Sequence, residues 1–333
     1  MSNLVLDAPN ITMADLEGVK RALASGHIST FGPYVEEFEE RLERYLGAPV
    51  VCMSSGTAAL EMALRSACIG PGDKVIVPSL TFVGTVNAIH NVGATPVIVD
   101  VFPDTWCINV RKVKEVIDKD TTCIMPVHIY GNPCNMDEIK DLGLIVIEDA
   151  AEAMGSIYAG KFCGTIGDYG TISFNGNKIM TTGGGGALVC KDKDRIKDLI
   201  NQCKSGIEPG YNYRMINLVA SLGLAQLERI PQFIVKKWEI FRTWRENLEG
   251  VNWQKENGYS DSNRWFSACT SDRELPLVSR KVFYPLHLMP YWKQFAPKRC
   301  EVSERIYEKG YCLASSTVND IKDIEREAKN GNT

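Results

Sequence analysis

Ser173-Phe174-Asn175-Gly176-Asn177-Lys178, running on through Thr182 into Gly183-Gly184-Gly185-Gly186, decides how this chain is read. Residues 169–174 carry the apolar pattern of a strand and deliver a hydroxyl at Ser173; five positions later comes the amine of Lys178. The glycines that follow let backbone pack closely beside whatever the lysine holds. A lysine at a strand end, with a hydroxyl before it and glycines behind it, suits an amine that forms a Schiff base. Alone, the same peptide also reads as a solvated turn.

Three further stretches bear on that choice. Residues 50–53 form an apolar run that breaks into Ser54-Ser55-Gly56-Thr57, after which 58–68 place Ala59, Leu60, Ala63, Leu64 and Ala67 at helical spacing. Such an elbow offers unpaired N–H groups, hydroxyls and the positive end of a helix dipole, a cradle for phosphate as well as an ordinary cap. Residues 144–147 read as a buried parallel strand that carries Glu148 and Asp149 to its C-terminal end, the edge at which open parallel sheets bind ligands. A carboxylate there can keep a pyridine nitrogen protonated. Pro78-Ser79-Leu80-Thr81-Phe82 follows the strand 74–77 and brings an aromatic ring to the same edge, either to stack on a flat ligand or as core packing. Phosphate cradle, stacking ring, acid and lysine arrive in order at strand ends, which describes a pyridoxal-phosphate enzyme.

The surrounding chain fits. Strands over 50–53, 74–77, 95–99, 122–127, 144–147, 169–174 and 187–190 alternate with helices over 58–68, 82–91 and 110–117, the pattern of a mostly parallel sheet covered on both faces. Helices are expected over 192–203, 217–229 and 232–247, and a final charged helix over 317–329 with Thr317 and Asp320 at capping-box spacing. Residues 250–275 carry no clear period. With 333 residues and 44% hydrophobic content the chain can bury a large core, as one large and one smaller domain. A net charge of −4 gives no general attraction to nucleic acid. No run reaches membrane-span length and the start lacks a signal-peptide pattern. Eleven cysteines form no Cys-x-x-Cys pair, which reads as reduced thiols in a cytoplasmic protein, and four dispersed histidines propose no metal site. His90 reads as structural.

Taken together, Gly32-Pro33-Tyr34-Val35-Glu36-Glu37-Phe38-Glu39, Ser54–Leu60, Pro78–Val83, Pro126-Val127-His128-Ile129-Tyr130-Gly131, Ile147–Ala153, the lysine segment and Gly210-Tyr211-Asn212-Tyr213-Arg214-Met215 resemble the sugar aminotransferases of the DegT/DnrJ/EryC1/StrS family. The resemblance implies an α/β architecture of pyridoxal-phosphate transferase fold type I. A large domain over 1–235 would hold the cofactor, with the first residues packing on a smaller C-terminal α+β domain over 236–333. It implies that Lys178 carries the cofactor and shuttles the proton, helped by burial and a neighbouring cation; that Asp149 binds the ring nitrogen; and that Glu152 lies near the phenolic oxygen. Backbone at Gly56, Thr57 and Ala58, with the Thr57 and Ser173 hydroxyls, would hold the phosphate, and Phe82 would lie on the ring. Asn212 would reach into the neighbouring subunit's site, making a homodimer with shared active sites, and His287, Tyr284 and Tyr291 would face the nucleotide sugar. The implied reaction moves nitrogen from L-glutamate to a nucleotide-linked 4-keto-6-deoxy sugar, for amino sugars of lipopolysaccharide and O-antigen (perosamine-, bacillosamine- or legionaminic-type), with the 3-keto sugars as the alternative within the family.

Three other readings compete with this one. Relatives that dehydrate the sugar replace the lysine with histidine, and Lys178 is present. A catalytically silent regulator would not need the Lys178/Asp149 pair, and a nicotinamide dehydrogenase would need a Gly-x-Gly-x-x-Gly after the first strand. Departures from the family pattern are Gly184, where relatives often carry glutamate, and Ala314, where proline is common.

Overall fold

The computed structural model describes residues 3–205, 209–275 and 277–332. Seven strands form the main sheet: β1 (Val50–Met53), β2 (Lys74–Pro78), β3 (Thr95–Val99), β4 (Thr121–Ile124), β5 (Ile145–Asp149), β8 (Tyr169–Ser173) and β9 (Gly186–Cys190). Their order is β1-β9-β8-β5-β4-β2-β3. Neighbours from β8 to β3 run parallel, and β9 runs antiparallel to both β8 and β1. Every strand except β9 therefore ends at the same edge. The central strands are buried along nearly their whole length, as befits a parallel sheet covered by helices on both faces, and β1, β2 and β9 are almost wholly apolar. The helix Gly56–Ser66 is buried on almost all sides, matching its run of Ala, Leu and Met.

The remaining strands are short. A three-stranded ribbon joins β6 (Ile157–Tyr158), β7 (Lys161–Phe162) and β11 (Ser260–Asp261), so residues from late in the chain pair with the hairpin that follows Asp149. A four-stranded antiparallel sheet is built from β10 (Val251–Trp253), β12 (Ser267–Ser271), β14 (Gly310–Leu313) and β13 (Ser279–Lys281), in that order. The opening segment docks here: Leu4 shares a core with Ile240, Trp244 and Leu313, and Leu6 O accepts from Ser315 N and Ser316 N.

Several expected boundaries move for local reasons. The strand at 122–127 stops at Ile124; Val127 makes only a bridge to Asp149 before Tyr130 turns the chain at φ 56°. The helix at 110–117 covers Val110–Lys114 alone. The last helix is Ile321–Asn330, and its cap is Asp320, whose carboxylate accepts from Lys322 N; the Thr317/Asp320 capping box does not form. The patternless stretch 250–275 supplies β10, β11 and β12 and the buried rings Trp265 and Phe266. No helix among the described residues is long and apolar enough to cross a membrane.

Candidate active site

A cavity of about 540 Å³ opens at the shared strand edge, with Lys178, Asp149, Glu152, Thr57, Phe82 and Ser173 on its wall. Its floor begins where β1 turns into the helix Gly56–Ser66. Ser55 caps that helix and takes Ala58 N onto its hydroxyl at 3.0 Å. The first two helical N–H groups, of Gly56 and Thr57, have no carbonyl one turn earlier to reach and, among the described residues, stand free at the positive end of the helix. Ala58, proposed as a third donor, spends its N–H on the cap. The elbow is held close to the end of β8, since a Cβ on Gly56 would lie 3.1 Å from the Ser173 Cβ. It lies against β9 still more tightly: a Cβ on Gly186 would meet Gly56 N at 2.4 Å and Ser55 C at 2.5 Å.

Asp149 ends β5 as a buried residue, 5% exposed. Oδ2 accepts from the Thr85 hydroxyl at 2.7 Å and Oδ1 from Ala151 N at 3.2 Å. The Thr85 oxygen in turn accepts from Thr81, 2.9 Å away, since Thr85's own proton is committed to Asp149. No cation pairs with Asp149 among the described residues. Burial accordingly pushes its carboxyl above the ordinary range, opposed by the Thr85 hydrogen bond. Glu148 points the other way and ties down the loop behind the site, accepting from Gly164, Ile166 and Gly167 N–H and contacting His128 Nε2 at 3.0 Å. His128 Nδ1 accepts from Cys134 N, so its proton lies on Nε2, toward Glu148.

Lys178 extends its amine to 3.4 Å from Glu152 Oε1 and 3.8 Å from the centroid of the Trp265 ring. The neighbour of the amine is thus a carboxylate and an aromatic face, in place of the cation the sequence suggested. Glu152 is itself buried, its carboxyl pushed up by burial and drawn back by Lys178, and its second oxygen accepts from Tyr130 N at 2.7 Å. Phe82 is 55% exposed and forms a wall of the cavity. Gly84 makes room beside it, because a Cβ there would sit 2.9 Å from Thr57 Oγ1 and 3.0 Å from the Phe82 ring.

Other expected positions fall elsewhere. His287 is buried outside the cavity, with Nδ1 2.6 Å from Ser79 Oγ and Nε2 3.2 Å from Glu304. Tyr284 packs edge-on to Tyr307, and Tyr291 pairs with His90. Asn212 is exposed and accepts from Arg214 at 3.1 Å, away from this chain's own cavity.

Residues that sequence reasoning passed over complete the site. Trp265 underlies Lys178 and donates its ring N–H to Asn177 O at 2.6 Å; Asn263 donates to the Glu152 and Met154 carbonyls. Asp7, from the opening segment, accepts from Asn177 at 2.9 Å, and Arg280 and Phe283 enter from the four-stranded sheet. The one signal available was Asn263-Arg264-Trp265-Phe266, two aromatics behind an amide in a polar stretch.

The geometry gathers a buried acid without a counter-cation, an amine and a pair of free helix-end N–H groups around one cavity. A model of the DegT/DnrJ/EryC1/StrS aminotransferase family matches residues 9–326. The chain belongs to that family. It is 39% identical over 313 residues to the GDP-perosamine synthase of Escherichia coli O157:H7, covering 86% of each protein. It is 34% identical over 351 residues to the GDP-perosamine synthase of Caulobacter vibrioides, covering 96% of this chain and 95% of that one. Spr1654 from Streptococcus pneumoniae, solved in its PLP form, has the same fold (TM-score 0.90, 26% identity, 99% of this chain and all of that one). The protein is a pyridoxal-phosphate-dependent aminotransferase with the fold expected from its sequence. Its residues fit the cofactor: free N–H groups at Gly56 and Thr57 suit the phosphate, the uncompensated Asp149 carboxylate suits a protonated ring nitrogen, and the Lys178 amine suits the aldehyde.

Proposed function

We propose that the protein transfers an amino group from L-glutamate to a nucleotide-linked 4-keto-6-deoxy sugar, as a cytoplasmic homodimer, for the amino sugars of lipopolysaccharide or O-antigen. The observation that carries this reading is the Asp149 carboxylate, buried, held by Thr85 and Ala151 and lacking a cation, in the same cavity as Lys178. Support for the substrate comes from the two GDP-perosamine synthases that the chain matches along most of its length.

Bound pyridoxal phosphate supplies an aldehyde that takes up the donor nitrogen and a ring that accepts an electron pair. The rest falls to the protein. Gly56 and Thr57 N–H groups and the hydroxyls of Thr57 and Ser173 hold the phosphate. Asp149 keeps a proton on the ring nitrogen, which both satisfies its buried charge and draws electron density away from the reacting carbon. The Lys178 amine takes a proton from that carbon and returns one during transfer. Glu152, 3.4 Å away, steadies the amine as ammonium, and the Trp265 face fixes its direction. Phe82 shields one side of the cavity from water. Asn212, exposed on its own protomer, is assigned to the phosphate of the partner's cavity.

Two half-reactions test the proposal. Glutamate should convert the cofactor's absorbance to that of its amine form; after the donor is removed, a GDP-, UDP- or dTDP-linked 4-keto-6-deoxy sugar should restore the original band. If no nucleotide keto-sugar restores it, the acceptor assignment fails.

A further inference from the structure

A second cavity, of about 430 Å³, shares no lining residue with the first; the exposed Asp104, Arg111 and Glu138 line it together with Cys107. Cys107 is buried, so this cavity is the thiol's route to solvent. Cys134 meets it from the turn that follows β4, and both are free thiols. Their contacts are reciprocal. Cys107 Sγ lies 3.5 Å from Asn132 O and 3.6 Å from Pro133 O, the two residues before Cys134. Cys134 Sγ accepts the backbone N–H of Ile108, the residue after Cys107, and the two thiols contact each other. The turn that carries Cys134 also holds the acids of the active site. Cys134 N donates to His128 Nδ1 at 3.0 Å, His128 N to Asp149 O at 3.1 Å, and Tyr130 N to Glu152 Oε2 at 2.7 Å.

We infer that Cys107 and Cys134 are an oxidisable dithiol, which hydrogen peroxide entering the second cavity closes into a disulfide that slows amino transfer. Cys107 is the attacking thiol. It lines the cavity, and contact with Cys134 draws it below its ordinary value, whereas burial pushes Cys134 well above its own. The Cys107 thiolate attacks one peroxide oxygen and the O–O bond breaks; the other oxygen leaves as water once protonated, and a sulfenic acid remains on Cys107. The Cys134 sulfur then attacks the Cys107 sulfur. An S–S bond forms, the S–O bond breaks, and hydroxide departs as water with the Cys134 proton. Two thiols thus give two electrons and two protons to the peroxide, and two waters are released. The new bond is about 2.05 Å long, far shorter than a contact between unbonded sulfurs, so it draws the 127–134 turn toward Cys107. That turn is packed in the core, and a shift there disturbs the bonds by which it holds Glu152 and Asp149. In a reducing compartment such a bond is transient, as a redox-sensing one must be.

The test treats the cofactor-loaded protein with hydrogen peroxide, blocks the remaining thiols, and maps its peptides by mass spectrometry without reduction. One linked peptide pair, Cys107 to Cys134, should appear and vanish with dithiothreitol. In parallel, the rate at which glutamate converts the bound cofactor should fall several-fold on oxidation and recover on reduction. Cys107→Ser should match the reduced wild type and keep its rate in peroxide; Cys134→Ala carries the same comparison if the serine variant does not fold. Oxidation confined to the exposed Cys68, a link between other cysteines, or a fully linked protein that converts its cofactor at the reduced rate overturns the inference. If glutamate does not convert the reduced wild type, the proposed donor falls, and the presence or absence of the linked peptide decides whether the dithiol stands.

Discussion

The four glycines after the lysine loop are not equivalent, and Gly186→Ala should separate their roles. A methyl group on Gly186 would lie 2.4 Å from Gly56 N, 2.5 Å from Ser55 C and 2.7 Å from Ser55 O. Restoring the first of these to an ordinary contact of 3.4 Å moves backbone by about 1 Å, and all three neighbours are main chain that cannot rotate away. The group displaced is one of the two free N–H donors at the start of the helix Gly56–Ser66. Losing one charge-assisted bond to the cofactor's phosphate costs about 1.5–3 kcal/mol, which weakens pyridoxal phosphate binding by about 10- to 100-fold. Overpacking adds about 1–3 kcal/mol of lost fold stability. Gly184→Ala is the control, because nothing lies within 4 Å of its added Cβ and its backbone is not left-handed. The assay is fluorescence titration of the apo protein with pyridoxal phosphate and with pyridoxal, beside a thermal melt. Gly186→Ala should lose affinity for the phosphorylated form far more than for pyridoxal, and Gly184→Ala should match the wild type. A Gly186→Ala protein that binds pyridoxal phosphate as the wild type does would refute the cradle.

Two further outcomes follow from buried charges. Lys237 is buried, donates to the Trp265 carbonyl at 2.8 Å, and is pushed down to about 7 by burial. Between pH 7 and the ordinary lysine value near 10.5 the unfolded chain keeps a proton the folded protein has released, so stability rises with pH in that window, by at most about 1.4 kcal/mol per pH unit. Melting curves of Lys237→Met should lack this contribution, and parallel pH dependences of wild type and variant would count against a buried neutral lysine. Asp149→Asn should fold normally and keep its cofactor while turnover falls about 100-fold or more, since an amide cannot hold the ring nitrogen's proton; a variant with wild-type kcat would remove Asp149 from that role.

The sequence carried the parts of the site whose chemistry and chain position coincide. Asp149 ends the apolar strand β5 and Lys178 follows the buried strand β8, and a parallel sheet sends the ends of such strands to one edge. Trp265, Arg280 and Asp7 were illegible for the opposite reason. Each belongs to a short or irregular segment with no period of its own, and each reaches the cavity through long-range pairing: β12 against β14, β13 against β14, and the opening segment against Ser315 and Ser316. Local chemistry also misled in places. Thr317 had the spacing of a cap, yet Asp320 begins the helix. His287 matched a substrate-facing position, yet both its ring nitrogens are engaged by Ser79 and Glu304. The glycine run promised close packing throughout, whereas an added Cβ meets backbone or side chain at Gly185 and Gly186 and open space at Gly183 and Gly184.

The central claim is that the Lys178 amine carries the cofactor, and chemical trapping tests it most directly. The holo protein is reduced with borohydride, digested, and its peptides are weighed and sequenced by mass spectrometry. The account predicts one modified peptide, with the reduced cofactor on Lys178, and none when glutamate has first converted the cofactor to its amine form. A modification on another lysine, or no covalent cofactor on any peptide of a protein that holds it, would contradict the account.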